Sequence, residues 1–251
     1  MSVLLTGGMR GIGKSILERL IAEDKEIVTT YCMEIDAYYL DNLAADLREL
    51  PDNVEALDIN FLEPDDVNKL IENIKQRESP FTEFVSNAGI CEFENYLEIS
   101  DKSLDKTFNI NFKAPFLISQ AVCSTLIKHK MPGSLCFISS ISADTAGEYQ
   151  SHYCASKGAL DQLMRCIAYS MGKYGIRSNS VQPGTVLTDI NFTDFQTHPQ
   201  KLEDFIARTP MRKLATGEDV ANAVHYLISG QSSGITGITL RVDGGFMAGI
   251  Q

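Results

Sequence analysis

Tyr153 and Lys157 stand four residues apart in Tyr153-Cys154-Ala155-Ser156-Lys157. In a helix that spacing puts both side chains on one face. A phenol with a pKa of about 10 is a poor proton donor and acceptor at neutral pH. A neighbouring ammonium favours the phenolate, and a downward shift of about three units takes roughly 4 kcal/mol of differential stabilisation. The pair therefore reads as an acid/base centred on a tyrosine oxygen and tuned by a lysine. The same pattern also occurs in helices that merely carry an exposed lysine beside a half-buried tyrosine, so its surroundings have to decide.

A second chemical feature lies at the start of the chain, in Thr6-Gly7-Gly8-Met9-Arg10-Gly11-Ile12-Gly13. This run joins an apolar stretch at 2–6 to a helical one at 14–23. Glycines there let the backbone turn tightly and approach a pyrophosphate, while the helix amino terminus offers N–H donors and partial positive charge. A glycine cluster alone is also an ordinary turn. Its place after the first strand favours a dinucleotide site.

Both features need a scaffold, and the pattern supplies one. Short apolar runs at 2–6, 26–30, 54–59, 83–86, 134–139, 178–182 and 237–242 read as strands. Helical stretches at 14–23, 35–49, 64–77, 101–130, 152–174 and 218–229 alternate with them, and a polar, irregular stretch spans about 185–209. Strands alternating with helices predict a parallel sheet covered on both faces. The expected fold is a single α/β domain over 1–251, a Rossmann-type doubly wound parallel sheet with helices on both faces. In such sheets ligands bind at the carboxyl ends of the strands, near the point where strand order reverses. The glycine turn follows the first strand, Asn87-Ala88-Gly89 the fourth, Ser140 the fifth and Pro183-Gly184 the sixth.

Composition narrows the function. The net charge of −11 argues against general nucleic-acid binding, which needs a basic footprint. Six cysteines without a Cys-x-x-Cys pair and four dispersed histidines argue against a disulfide framework or a metal site. His152, next to Tyr153, is expected to be solvated. No consecutive apolar run reaches the ~18–20 residues of a membrane span. The first residues lack the basic and small-residue signals of a secretory leader, so a cytoplasmic location is expected.

Thr6-Gly7-x-x-x-Gly11-Ile12-Gly13, Asn87-Ala88-Gly89, Tyr153-x-x-x-Lys157 and Pro183-Gly184, in this order and at these separations, resemble the short-chain dehydrogenase/reductase family over essentially the whole chain. The tail, Ile235-Thr236-Gly237 and then Val242-Asp243-Gly244-Gly245, resembles the branch that holds 3-oxoacyl-acyl-carrier-protein reductases and many sugar or steroid dehydrogenases. The resemblance implies hydride transfer between a nicotinamide dinucleotide and a carbonyl or alcohol. Ser140 precedes Tyr153 by 13 positions, the family's spacing, and is preferred over adjacent Ser139 as the hydroxyl that holds the substrate oxygen. Asn111 matches the asparagine that holds a water near the lysine, with Asn109 as its competitor. Gly7, Gly11, Ile12 and Gly13 match the pyrophosphate turn, and Asp58 the position that holds adenine. Asn87 and Gly89 match the wall beside the adenosine ribose. Pro183, Gly184, Val186 and Thr188 match the grip on the carboxamide, and Tyr153 and Lys157 also face the cofactor. Ser86 departs from the family, where asparagine often precedes Asn-Ala-Gly.

Dinucleotide choice rests on the end of the second strand. NAD enzymes usually place a carboxylate there for the ribose 2′-hydroxyl. That position holds Tyr31, followed by Cys32. Arg10 lies where NADP-preferring relatives often carry a basic residue, and a guanidinium suits a phosphate. NADP(H) is therefore expected over NAD(H).

For the substrate, a lid is expected over about 189–211, with Phe192, Phe195, Leu202 and Phe205 packing either a substrate or the body of the protein. Lys128 and Lys130 at the end of one long helix and Lys173 at the end of the next match the carrier-protein contacts of the 3-oxoacyl reductases, although cations also suit helix carboxyl termini. The leading expectation is a 3-oxoacyl-thioester reductase of fatty-acid or polyketide synthesis, working with an acyl carrier protein. The alternatives are a dehydrogenase of a free alcohol, sugar or steroid, and a nucleotide-sensing protein without chemistry. The resemblance also implies a homotetramer.

Overall fold

The alternation of short apolar runs with amphipathic stretches builds one seven-stranded parallel sheet. The computed structural model describes residues 2–39, 42–188 and 195–249. In chain order the strands are β1 (Ser2–Leu5), β2 (Glu26–Tyr31), β3 (Val54–Asp58), β4 (Glu83–Ser86), β5 (Gly133–Ile138), β6 (Ile176–Pro183) and β7 (Thr239–Val242). Their spatial order is β3-β2-β1-β4-β5-β6-β7. The order reverses between β1 and β4, which pair in register from Val3 opposite Glu83 to Leu5 opposite Val85. A crevice must open at the carboxyl ends there.

The helices are α1 (Gly11–Ile21), α2 (Met33–Tyr39), α3 (Leu43–Arg48), α4 (Pro64–Gln76), α5 (Asp101–Phe108), α6 (Ala114–His129), α7 (Ser151–Met171), α8 (Pro199–Arg208) and α9 (Gly217–Ile228). Alternate strand side chains enter opposite faces. Val3, Leu5, Val85 and Cys136 pack with Ile16 and Leu20 of α1 and Val220 and Val224 of α9. Leu4, Phe84, Leu135 and Phe137 pack with Leu70 of α4, Ile118 and Val122 of α6, and Leu160 and Met164 of α7. Phe84 and Phe137 meet edge to face at 6.0 Å.

Three elements differ from the sequence pattern. The single helix expected at 35–49 is two, α2 and α3, with Asn42 as the amino-terminal cap of the second. Asparagine favours such caps over helix interiors. The helix expected at 101–130 contains a π turn at Asn109–Lys113. The irregular stretch expected at 185–209 contains α8, which begins with Pro199 in its first turn.

The helical stretch Asp101–His129 is long and apolar enough to cross a membrane by length and composition alone, and 61% of its apolar window is buried against the rest of the protein.

Candidate active site

A cleft of about 790 Å³ opens at the carboxyl ends of the strands. It brings together Gly7, Arg10, Gly11, Ile12, Gly13, Tyr31, Asn87, Gly89, Ser140, Tyr153, Lys157, Pro183, Gly184, Val186 and Thr188. Of the cofactor residues expected from sequence, Asp58 is not on that wall. It is exposed, and its Oδ1 accepts a hydrogen bond from the N–H of Met33 at 2.9 Å, which caps the start of α2 instead. Residues 189–194 of the expected lid, with Phe192, lie outside the described residues. Phe195 and Phe205 pack edge to face at 6.0 Å, Phe205 also meets Phe246 at 6.2 Å, and all three line the cleft.

The glycine turn is shaped by close approach. A Cβ on Gly13 would sit 1.8 Å from the carbonyl oxygen of Gly7, and Gly7 has φ +70°. Asn87 fastens this turn to β4: its Nδ2 donates to the carbonyls of Thr6 at 3.1 Å and Gly7 at 2.8 Å. The N–H groups of Asn87 and Ala88 donate to the Thr6 hydroxyl in return. Arg10, at the amino-terminal cap position of α1, makes no side-chain capping hydrogen bond, and the first turn holds no acid. The helix amino terminus therefore offers N–H donors and positive potential to an anion. This cradle, which a side chain would fill, fits a dinucleotide pyrophosphate.

Tyr153 and Lys157 occupy the first two turns of α7. Lys157 is buried, with its Nζ donating to the Ile138 carbonyl at 2.8 Å and lying 5.7 Å from the centre of the Tyr153 ring. Burial lowers its pKa to about 8, against an opposing pull from Asp161 and Cys91. Tyr153 is half-buried, and burial pushes its phenol above the ordinary value. Cys91 adds to that rise, and a hydrogen bond with Ser140 opposes it. The lowering expected from the lysine is not felt at the phenol, and among the protein's own groups desolvation dominates.

Ser140 and Ser139 are separated by geometry. Ser139 is buried and its hydroxyl donates to the Lys157 carbonyl at 3.5 Å. Ser140 begins the short turn Ile141–Ala143, and its Oγ accepts from the N–H of Ser142 at 3.1 Å while lying beside the phenol. Asn111 sits fully buried in the π turn, behind the cleft wall. Such turns recur where a helix must place a functional side chain. A Cβ on Gly89 would lie 3.3 Å from both Asn111 Oδ1 and Lys157 Nζ, so a side chain there would crowd both groups.

Arg10 gives a further correction. Its Nε donates to Asp36 Oδ1 at 2.7 Å, and Asp36 lines the cleft. A carboxylate does reach the end of β2, delivered by α2 rather than by the strand. No local signal marked it, because Arg10 and Asp36 are 26 residues apart. His152 is likewise buried rather than solvated, with Glu94 at 3.7 Å. Lys128 and Lys130 lead into β5, and Lys173 into β6, at the amino ends of those strands. They stand at the opposite end of the sheet from the cleft. The backbone of Lys130 is a left-handed helix cap with φ 54°. Among the described residues no group of three histidine, cysteine or acidic side chains is placed to hold a metal.

A family model described as Enoyl-(Acyl carrier protein) reductase matches residues 7–247. The chain belongs to the short-chain dehydrogenase/reductase family. The L-rhamnose-1-dehydrogenase of Scheffersomyces stipitis is 32% identical over 99% of this chain and 96% of its own length. The L-rhamnose 1-dehydrogenase (NADP(+)) of Thermoplasma acidophilum is 33% identical over 100% and 97%. A solved 4-hydroxyisoleucine dehydrogenase mutant complexed with NADH and succinate superimposes with a TM-score of 0.91, covering 100% of both chains at 24% identity. That likeness supports the fold alone. As a short-chain dehydrogenase/reductase, the protein is an NAD(P)(H)-dependent oxidoreductase acting on CH–OH or C=O groups. The nucleotide-sensing alternative falls with that assignment.

Proposed function

We propose that this enzyme interconverts a free sugar or polyol and its oxidised form. The observation that carries the chemistry is the meeting of Ser140, Tyr153 and Lys157 on one wall of the cleft. Full-length similarity to two L-rhamnose dehydrogenases supports the substrate class. The loop between Ser140 and Tyr153 adds Ser142, Thr145, Glu148 and Gln150 to the cleft wall, polar groups suited to hydroxyl-bearing substrates.

The bound nicotinamide dinucleotide supplies or accepts the hydride. Tyr153 exchanges the proton at the substrate oxygen: its phenol gives one to a carbonyl in reduction, and its phenolate takes one from an alcohol in oxidation. Ser140 donates a hydrogen bond to the same oxygen as negative charge gathers there. Lys157 keeps one of its three N–H donors on Ile138, and the others would be free to hold the ribose hydroxyls of a bound dinucleotide. Asn111 positions the Ile90 backbone, and Gly89 leaves both the amide and the lysine room. Arg10, the ground for an NADP(H) preference, has its Nε on Asp36, so the choice of dinucleotide turns on that pair.

Lys128, Lys130 and Lys173 lie away from the cleft, and the relatives named bring no carrier protein with them. These observations favour the free sugar over the carrier-protein thioester. A homotetramer is part of the proposal, supported by exposed Phe116 and Tyr169 on the long helices α6 and α7. The test follows reduced-nicotinamide absorbance with a panel of aldoses, polyols and ketoses, alongside an acetoacetyl thioester. Turnover on a sugar or polyol at least tenfold faster than on the thioester supports the proposal. Turnover on the thioester alone overturns the substrate class.

A further inference from the structure

Asp161 follows Lys157 by one turn of α7, on the same face of the helix. Both side chains are buried. They reach neighbouring strand ends: Lys157 Nζ donates to the Ile138 carbonyl of β5 at 2.8 Å, and Asp161 Oδ2 accepts from Gln182 Nε2 of β6 at 2.7 Å. Ile138 stands opposite Val181, the residue before Gln182. Lys157 lines the cleft, whereas Asp161 does not. The acid is therefore placed to act on the lysine and not on the substrate.

Asp161 Oδ1 has no hydrogen-bond partner among the described residues. A buried carboxylate with an open oxygen is costly unless a cation compensates it. The other charged groups packed around it are exposed and engaged. Arg241 of β7 donates from Nε to Gln182 Oε1 at 3.3 Å and from Nη2 to Asp144 Oδ2, after β5, at 2.8 Å. Arg165, one turn further along α7, donates to the Thr239 hydroxyl at 3.4 Å. On its other side Lys157 faces the Tyr153 ring and Cys91, in the loop after β4. Burial pushes the Cys91 thiol up to about 11, so it carries no charge at neutral pH. Burial also pulls Lys157 toward the neutral amine, and among the described residues Asp161 is the carboxylate that opposes this.

We propose that Asp161 is a positioning residue for the proton chemistry: its buried carboxylate, one helical turn beyond Lys157, keeps that lysine an ammonium while Tyr153 exchanges its proton. As an ammonium Lys157 offers three donors and a positive charge beside the phenol; as an amine it would lose the charge and one donor. Gln182 fixes the acid in turn, and Arg241 and Asp144 carry the contacts on to the surface. The inference rests on the role given to Lys157 above and is independent of which substrate is turned over.

Lysine labelled with ¹³C at Cε tests this without turnover, the Lys157 resonance being assigned by its loss in Lys157→Met. In Asp161→Asn, which keeps an oxygen for Gln182, the Lys157 titration midpoint is expected to fall by about one pH unit or more. The alkaline limb of reductive kcat should move down with it, while the KM for the carbonyl substrate stays within about twofold. Asp161→Glu keeps the charge and leaves both near wild type. Gln182→Met removes the anchor but not the charge, so the midpoint stays within about half a unit of wild type. Should the asparagine variant not fold, Asp161→Ser is read in the same way. An unchanged Lys157 midpoint in the neutral variant overturns the proposal, and so does a midpoint that falls while the alkaline limb stays put. A Gln182→Met protein that lowers the midpoint as far as Asp161→Asn overturns it too, since the acid would then only anchor β6. If no sugar is turned over, the proposed substrate class fails, and the Lys157 midpoint still decides the role of Asp161.

Discussion

Asn111 holds the backbone of Ile90 from both sides: its Oδ1 accepts from the Ile90 N–H at 2.9 Å, and its Nδ2 donates to the Ile90 carbonyl at 2.9 Å. Its Nδ2 also lies 3.1 Å from the Ser156 hydroxyl, one residue before Lys157. Removing the amide leaves buried backbone groups without partners, at about 1–3 kcal/mol each. Asn111→Ala is therefore expected to lose about 2–4 kcal/mol in urea unfolding and to weaken cofactor binding. Full stability in that variant would contradict the clasp.

Tyr153→Phe keeps the ring and deletes only the exchanging proton. Turnover should fall roughly 10²–10⁴-fold, while the affinity for reduced dinucleotide stays within about twofold of wild type. Steady-state rates and fluorescence titration on the same preparation separate these outcomes. A phenylalanine variant with near-normal turnover would remove Tyr153 from the chemistry.

Lys157 makes stability depend on pH in a definite direction. Its folded pKa of about 8 lies below its ordinary value of 10.5. The cost of burying its charge is present in full below pH 8 and is relieved as pH rises from about 8 to 10.5. In that window the unfolded chain binds more protons, so this group makes stability climb with pH. Half-buried Cys91 and buried Cys136 act the other way, since desolvation lifts their thiols to about 11 and about 12. They favour the folded state less as pH passes 9, the ordinary thiol value. Lys157→Met carries the cysteines but not the lysine. Wild-type stability minus that of Lys157→Met is therefore expected to grow by about 3 kcal/mol between pH 8 and 10.5. A flat difference in chemical unfolding across the window would reject the shift.

Two alanine substitutions should have opposite signs. Gly13→Ala places a Cβ on the Gly7 carbonyl and is expected to cost about 3 kcal/mol or more, the upper range of overpacking, together with dinucleotide binding. Gly172 has φ −54° and ψ −36°, with open space where a Cβ would go. Gly172→Ala should therefore gain about 0.4–1 kcal/mol. Thermal unfolding of the pair against wild type checks both.

The features legible in the sequence were local. Tyr153 and Lys157 share a helix face, and the glycines of the first turn are close neighbours in the chain, so type and spacing declare them. The parallel sheet was legible because short apolar runs and strand–helix alternation are also short-range signals. The features missed depend on partners far apart in sequence. Arg10 meets Asp36 across 26 residues, Asn111 meets Ile90 across 21, and Lys157 meets Ile138 across 19. The reading of Tyr31 and Cys32 as an acid-free wall failed for that reason, since it examined only the strand end and the acid arrives from the next helix. Asp58 was placed at the adenine by its position after β3, but Met33 claims its carboxylate first. α8 was missed because Pro199 and the polar residues around it look like a loop until Leu202, Phe205 and Ile206 are read as a helical stripe.

The reversal of strand order between β1 and β4 divides the responsibilities of the cleft. Arg10, Tyr31 and Asp36 hang from the β1–β2 flank, whereas Ser140, Tyr153 and Lys157 hang from the flank of β5 and α7. The two sets belong to different elements of the fold. On the function proposed above, dinucleotide choice and proton chemistry fall to separate halves of one sheet. A lineage can exchange one dinucleotide for the other by substitutions on the first flank while its proton chemistry stays as it was, and the reverse is equally open to it.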